Sequence, residues 1–172
     1  MGIIISIIVV VLLGILYMIL SVWWPMLTGG AGFTPTPYNK ASLAMELAEV
    51  GPHDRVYDLG CGTGIALEEA KKRCASVVGI EIEPIRWLTA RLRVRGVKIK
   101  LGNMFKIPLK DATVIFIFQY PNVNERLKKK FVKELKPGTR VVSYMWEIKG
   151  WKPIKVVEDL YLYLIGESDK DN

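Results

Sequence analysis

The chain is 172 residues long, enough for one ordinary domain and not for two. Cys61 and Cys74 are its only cysteines and His53 its only histidine, so it offers no usual Cys/His zinc centre, no disulfide scaffold and no Ser/His/Asp or Cys/His catalytic set. Hydrophobic residues make up 51%, and the net charge of +7 lies wholly from Lys40 onward, which favours an anionic membrane face, an acidic protein surface or nucleic acid as partner.

From Ile3 to Leu20 the chain is nearly continuous Ile, Val, Leu, Met and Gly. With Val22, Trp23 and Trp24 the run is long enough to cross a bilayer, and the two tryptophans suit the headgroup level. Pro25 is expected to end the helix. We read residues 1–27 as a transmembrane anchor rather than a cleaved signal peptide. No Lys or Arg precedes the run, the run exceeds a signal core, and Trp23-Trp24-Pro25-Met26-Leu27 makes a poor cleavage site. Positive charge lies only C-terminal to it, so the following domain is expected to face the cytoplasm.

Residues 28–37 are a flexible Gly-rich linker, Thr28 to Gly32, and the block Phe33-Thr34-Pro35-Thr36-Pro37. Thr36 is expected to cap a helix over Pro37 to Val50, with Pro37 at its first position. A βα alternation follows across a domain assigned to 38–167. Strands are expected at Arg55–Leu59, Val77–Ile82, Val97–Leu101, Ala112–Phe118 and Thr139–Met145. Helices are expected at Ile65–Cys74, with Glu68–Lys72 and Glu69–Arg73 pairs, at Pro84–Arg95 and at Asn122–Leu135. Lys155–Val157 and Leu160–Ile165 read as a closing hairpin, and 168–172 as a frayed polar tail. Strands alternating with helices predict a Rossmann-like α/β fold: a mostly parallel sheet with helices on both faces and a C-terminal antiparallel hairpin.

Asp58-Leu59-Gly60-Cys61-Gly62-Thr63-Gly64 joins the first strand to its helix. Gly60, Gly62 and Gly64 permit a sharp turn and close approach to a ligand. Glu81, about 20 residues on at the end of the second strand, is placed with Ile82 to meet the ribose of an adenosine. Asp58 would repel a pyrophosphate but suits the ammonium of a methionine moiety. The site therefore reads as one for S-adenosylmethionine rather than a dinucleotide. Asn103 can bond an adenine edge and Met104 can pack on its face. Gln119, Tyr120 and Asn122 follow the fourth strand, where ligands bind in such sheets. Gln119 is taken as cofactor-binding, and Tyr120 and Asn122 as the residues that meet an acceptor amine, although an N-cap role accounts for Asn122 nearly as well. No metal is called for.

These motifs resemble class I methyltransferases. Further blocks narrow the resemblance: Phe33-Thr34-Pro35-Thr36-Pro37, Asn122-Val123-Asn124-Glu125, Glu134-Leu135-Lys136-Pro137-Gly138 and Glu147-Ile148-Lys149-Gly150-Trp151. They are similar to the archaeal protein-lysine methyltransferase family and to the membrane-anchored mitochondrial lysine methyltransferases of ATP synthase. The resemblance implies methyl transfer to protein lysines, and it adds Thr36 and Pro37 to the cofactor site. Thr63, where relatives often carry Asp, Gln119-Tyr120-Pro121, in place of a more apolar stretch, and Tyr144-Met145-Trp146, in place of a more polar segment, depart from the pattern. The expected enzyme is a monomer that acts on membrane or membrane-proximal proteins. A lipid, quinone or other small molecule is the alternative acceptor. A non-catalytic cofactor-binding scaffold and nucleic-acid methylation are weaker readings.

Overall fold

The computed structural model describes residues 1–27, 34–74 and 76–169. The expected linker Thr28 to Gly32, Phe33, the side chains of Trp23 and Trp24, and the last three residues of the tail lie outside the described residues. The chain forms two compact units, Met1–Phe33 and Thr34–Asn172.

The first unit is helix α1, Gly2–Leu27. Its mean hydropathy over Gly2–Ile19 is 3.0, and by length and composition it can cross a membrane. The helix does not stop at Pro25 as expected. A proline removes one intrahelical hydrogen bond, and the coil runs only two residues beyond it.

The second unit holds one seven-stranded sheet in the order β3-β2-β1-β4-β5-β7-β6. In chain order its elements are α2 (Tyr38–Leu47), β1 (Arg55–Leu59), α3 (Ile65–Lys71), β2 (Ser76–Glu81), α4 (Pro84–Arg93), β3 (Lys98–Leu101), β4 (Val114–Ile117), α5 (Pro121–Glu134), β5 (Arg140–Tyr144), β6 (Lys155–Val157) and β7 (Leu160–Leu164). β3, β2, β1, β4 and β5 run parallel. β7 returns antiparallel beside β5, and β6 pairs antiparallel with β7. This is the predicted α/β architecture with its antiparallel hairpin.

The central strand β4 is apolar throughout, and β1 and β5 are mostly so, because both faces are covered. Val56, Val114, Phe116, Val142 and Leu162 point to the face packed by α2, α3 and α4, where Ala44, Leu67 and Ala90 complete the core. On the other face α5 presents Val123, Leu127 and Phe131, spaced at helical period and buried. Trp151 bridges Phe131 and Tyr163 there, with ring centroids 6.4 and 5.8 Å away.

Three local expectations need correction. The cap of α2 is Pro37, not Thr36, and its side chain makes no capping hydrogen bond. Proline's fixed φ places it in the extended conformation that an N-cap requires. At α5 the cap is Tyr120 with Pro121 following, so Asn122 sits inside the first turn and is no N-cap. In α3, Glu69 takes both Lys72 and Arg73, and Glu68 instead accepts from the Tyr38 hydroxyl. The tail is also ordered further than predicted. Ser168 is buried because its hydroxyl accepts from Leu164 N–H, and Asp169 accepts from Gly166 N–H.

Candidate active site

The carboxyl ends of β1, β2, β4 and β5 meet above the sheet's centre. β1 leaves the sheet through Gly60, whose N–H and that of Cys61 both donate to the Ile80 carbonyl, at 2.8 and 2.9 Å. These bonds fold the loop back over β2. Gly60 has φ +84, and a Cβ there would lie 2.3 Å from Gln119 Nε2. Only glycine therefore lets the turn pass under the side chain that follows β4. Gln119 is buried and donates to the Leu59 carbonyl at 2.9 Å, which fixes it across the turn.

Glu81 ends β2 and is 4% exposed. Its Oε2 accepts from Gly62 N–H at 2.8 Å. Its Oε1 accepts from the Ile82 and Glu83 N–H groups and from Arg86 Nε. The carboxylate thus ties the glycine loop to the start of α4, which Glu83 caps through Ile85 and Arg86 N–H. Oε1 is saturated, and Oε2 is the oxygen with acceptor capacity to spare.

Asp58, one residue before the end of β1, is also 4% exposed. Neither of its oxygens accepts a hydrogen bond among the described residues. Burial, and then the charge of Glu81, pushes its pKa up from 3.8 to about 8. A buried carboxyl with no donor calls for a cationic partner. The same burial, with Asp58 and Glu81 nearby, raises the Cys61 thiol well above its usual range and keeps it inert. Both cysteines are free and buried.

The other predicted positions divide in two. Asn103 and Met104 follow β3. The Asn103 side-chain carbonyl accepts from Phe105 N–H at 2.9 Å, while Met104 is buried. Gly102 N–H donates to the Glu81 carbonyl, which holds this turn beside β2. Tyr120 and Asn122 are exposed at the start of α5. These residues, with Asp58, Gly60, Gly62, Gly64, Glu81, Ile82 and Gln119, belong to one edge of the sheet. Thr36 and Pro37 stand apart in bonding. Tyr38, next in the chain, donates to Glu68 and accepts from Arg93, and no hydrogen bond ties Thr36 or Pro37 to the loop from Gly60 to Gly64 among the described residues.

Sequence reasoning passed over Asn124. It is fully buried on α5, with Nδ2 3.4 Å from Ser143 Oγ and 3.5 Å from the Trp146 carbonyl, and its Oδ1 has no partner among the described residues. Met145, just before Trp146, holds φ +68, a strained value for a non-glycine residue. The signal was present: Asn124 falls on the same helical stripe as Leu127 and Phe131.

The residues fit S-adenosylmethionine. An orphaned Asp58 suits its ammonium, a glycine turn admits its chain, and Glu81 Oε2 can accept from a ribose hydroxyl. When bound, that cofactor supplies an electrophilic methyl group.

The chain is similar to several known proteins. The ANTKMT methyltransferase domain family matches residues 58–155. A protein-lysine N-methyltransferase of Saccharolobus islandicus (strain REY15A) is 45% identical, across 78% of this chain and 94% of its own. The adenine nucleotide translocase lysine N-methyltransferase of Mus musculus is 28% identical, across 80% of this chain and 66% of its own. An RNA methyltransferase from Salinibacter ruber, solved in complex with S-adenosyl-L-homocysteine, superposes with a TM-score of 0.74 at 31% identity, covering 77% of this chain and 94% of that one. The chain belongs to the ANTKMT methyltransferase family and is an S-adenosylmethionine-dependent methyltransferase of the class I fold.

Proposed function

We propose that this enzyme methylates lysine side chains of proteins in or beside a membrane, with α1 as its bilayer anchor and the catalytic domain on the cytoplasmic side. The observation that carries the acceptor is the 45% identity to a protein-lysine N-methyltransferase along nearly the whole length of that relative. The anchor rests on the apolar run of α1, and the orientation on the absence of charge before Lys40. Anchoring raises the effective concentration of membrane-held targets.

In this reading Asp58 holds the cofactor's ammonium and Glu81 Oε2 its ribose, with Ile82 beside it. Asn103 and Met104 bound the adenine, and Gln119 closes the turn over Gly60. The start of α2 at Thr36 and Pro37 completes the cofactor side. Tyr120 and Asn122, exposed where α5 begins, receive the lysine. Their part is to orient an amine that has already lost its proton to solvent, because nucleophilic attack needs a free lone pair.

The test uses the full chain in mild detergent, with methyl-labelled cofactor and separate membrane-protein, soluble-protein, lipid and RNA fractions. Label recovered on methylated lysine after hydrolysis of membrane proteins is the expected outcome. Label confined to the lipid fraction would replace lysine with a bilayer-dissolved acceptor. Label confined to RNA would reject the proposal.

A further inference from the structure

The surplus positive charge of this protein is not spread over its surface. Residues 84–110 contain eight basic residues and no acidic one, which exceeds the net +7 of the whole chain and leaves the remainder slightly acidic. This stretch includes α4 and the edge strand β3.

The polarity of α4 is inverted relative to an ordinary surface helix. Its buried side carries Arg86, Ala90 and Val94. At about 100° per residue, Ile85, Leu88 and Leu92 fall within one narrow stripe opposite Ala90. They are 49%, 49% and 71% exposed. Arg91 flanks the stripe on one side and Arg93 on the other, and exposed Arg95 follows just beyond the end of the helix. The Arg91 guanidinium stacks over the Trp87 ring at 4.9 Å, and Trp87 Nε1 donates to the Ile99 carbonyl, so the helix is pinned to β3. Leu101, at the end of β3, is exposed as well.

An aliphatic stripe bordered by arginines matches the interfacial zone of an anionic bilayer. There the leucines leave water while the guanidinium groups stay among the headgroups on their long stems. A nucleic acid would meet the same stripe badly, since phosphates gain nothing from aliphatic side chains and bases stack on aromatic ones. We propose that the outer face of α4 is a second membrane contact, in which Ile85, Leu88 and Leu92 enter an anionic leaflet and Arg91, Arg93, Arg95 and Lys98 engage its lipid headgroups. The inference rests on the reading of α1 as a bilayer anchor. α4 starts at the Glu83 cap, two residues from Glu81, so the contact sets how the catalytic edge is tilted toward the bilayer. Lysines lying near the headgroup plane are then the ones within reach.

The experiment reconstitutes the full chain carrying Leu92→Cys, labelled with a fluorophore, into vesicles that contain brominated lipid. Cys61 and Cys74 are buried, which leaves the new thiol as the reactive one. A second preparation carries Val132→Cys on the exposed side of α5. In vesicles of phosphatidylcholine with phosphatidylglycerol, quenching at position 92 is expected to exceed that at 132 several-fold. It should fall to the level of 132 in pure phosphatidylcholine, and in the Arg91→Glu/Arg95→Glu variant. Equal quenching at 92 and 132 in the anionic vesicles would overturn the proposal. So would a label at 92 that is shielded by added RNA or by an acidic protein but not by lipid. Flotation separates the two readings. A chain that does not float with vesicles rejects the anchor and this contact together, whereas one that floats with position 92 unquenched rejects the contact alone.

Discussion

The two ends of the central strands are built on opposite terms. At the amino ends, the charges are mostly matched, with Arg55 Nε the buried exception among the described residues. Asp54 accepts from Thr113, from Gly51 N–H and from Arg140, whose guanidinium also caps the Ala48 and Glu49 carbonyls at the end of α2. Burial acts to raise the Asp54 pKa, but these donors and the Arg140 charge outweigh it and hold the carboxyl below its usual value. Asp111 pairs with Arg55 and with the Tyr57 hydroxyl, which burial and that bond push up to about 12. At the carboxyl ends the matching is partial: Glu81 is well bonded, and other polar groups there are not. Among the described residues no group donates to buried Asp58 or to Asn124 Oδ1, and Met145 is held at positive φ. Paired charge predominates at one end of the sheet, and unpaired polarity at the end proposed to hold the cofactor.

The contrast breaks most visibly at Asp58. Its folded pKa lies above its unfolded value, so the stability it gives is full below about pH 4 and is lost as pH rises through about 8. Replacing Asp58 with Asn removes that loss. We expect the variant to be more stable at pH 7.5 by on the order of 3 kcal/mol, and to bind S-adenosylmethionine about 100-fold more weakly. Thermal unfolding and calorimetry on the full chain in detergent measure both, and a variant that is destabilised would remove Asp58 from its assigned place.

Arg140→Ala probes the other end. It strands Asp54 and two helix-terminal carbonyls, which costs about 2 kcal/mol. Cofactor affinity should not change. A weakened dissociation constant in a folded variant would show that the two ends are coupled.

The smallest effect is in pH. A cationic ligand group stabilises ionised Asp58, so binding releases a proton below about pH 8. Affinity should therefore rise about tenfold from pH 6.5 to 7.5 and level off above 8. A flat profile, with titration of Asp58→Asn as the control, would place the ammonium elsewhere.

Most of this architecture could be read in advance because its causes are local and repeated. Buried parallel strands such as Val114–Ile117 must be apolar, and the Gly60–Gly64 turn needs residues that tolerate positive φ. The helix starts at Pro37 and Tyr120 escape a reading based on side-chain capping, because proline geometry alone sets those turns. Asn124 escapes it because a polar residue on a charged helix reads as solvated. Only its position on the Leu127–Phe131 stripe gives it away. The network of Glu81, Glu83 and Arg86 is half visible: the acid at the strand end can be placed, but not the three donors that converge on its Oε1.

The outermost strands of the sheet, β3 and β6, are four and three residues long and carry exposed Lys98 and Lys155. A longer, uncharged border would offer a neighbouring molecule a row of free amide and carbonyl groups to zip against. Here such zipping would gain few hydrogen bonds and would crowd like charges, so copies of this chain are discouraged from polymerising edge to edge.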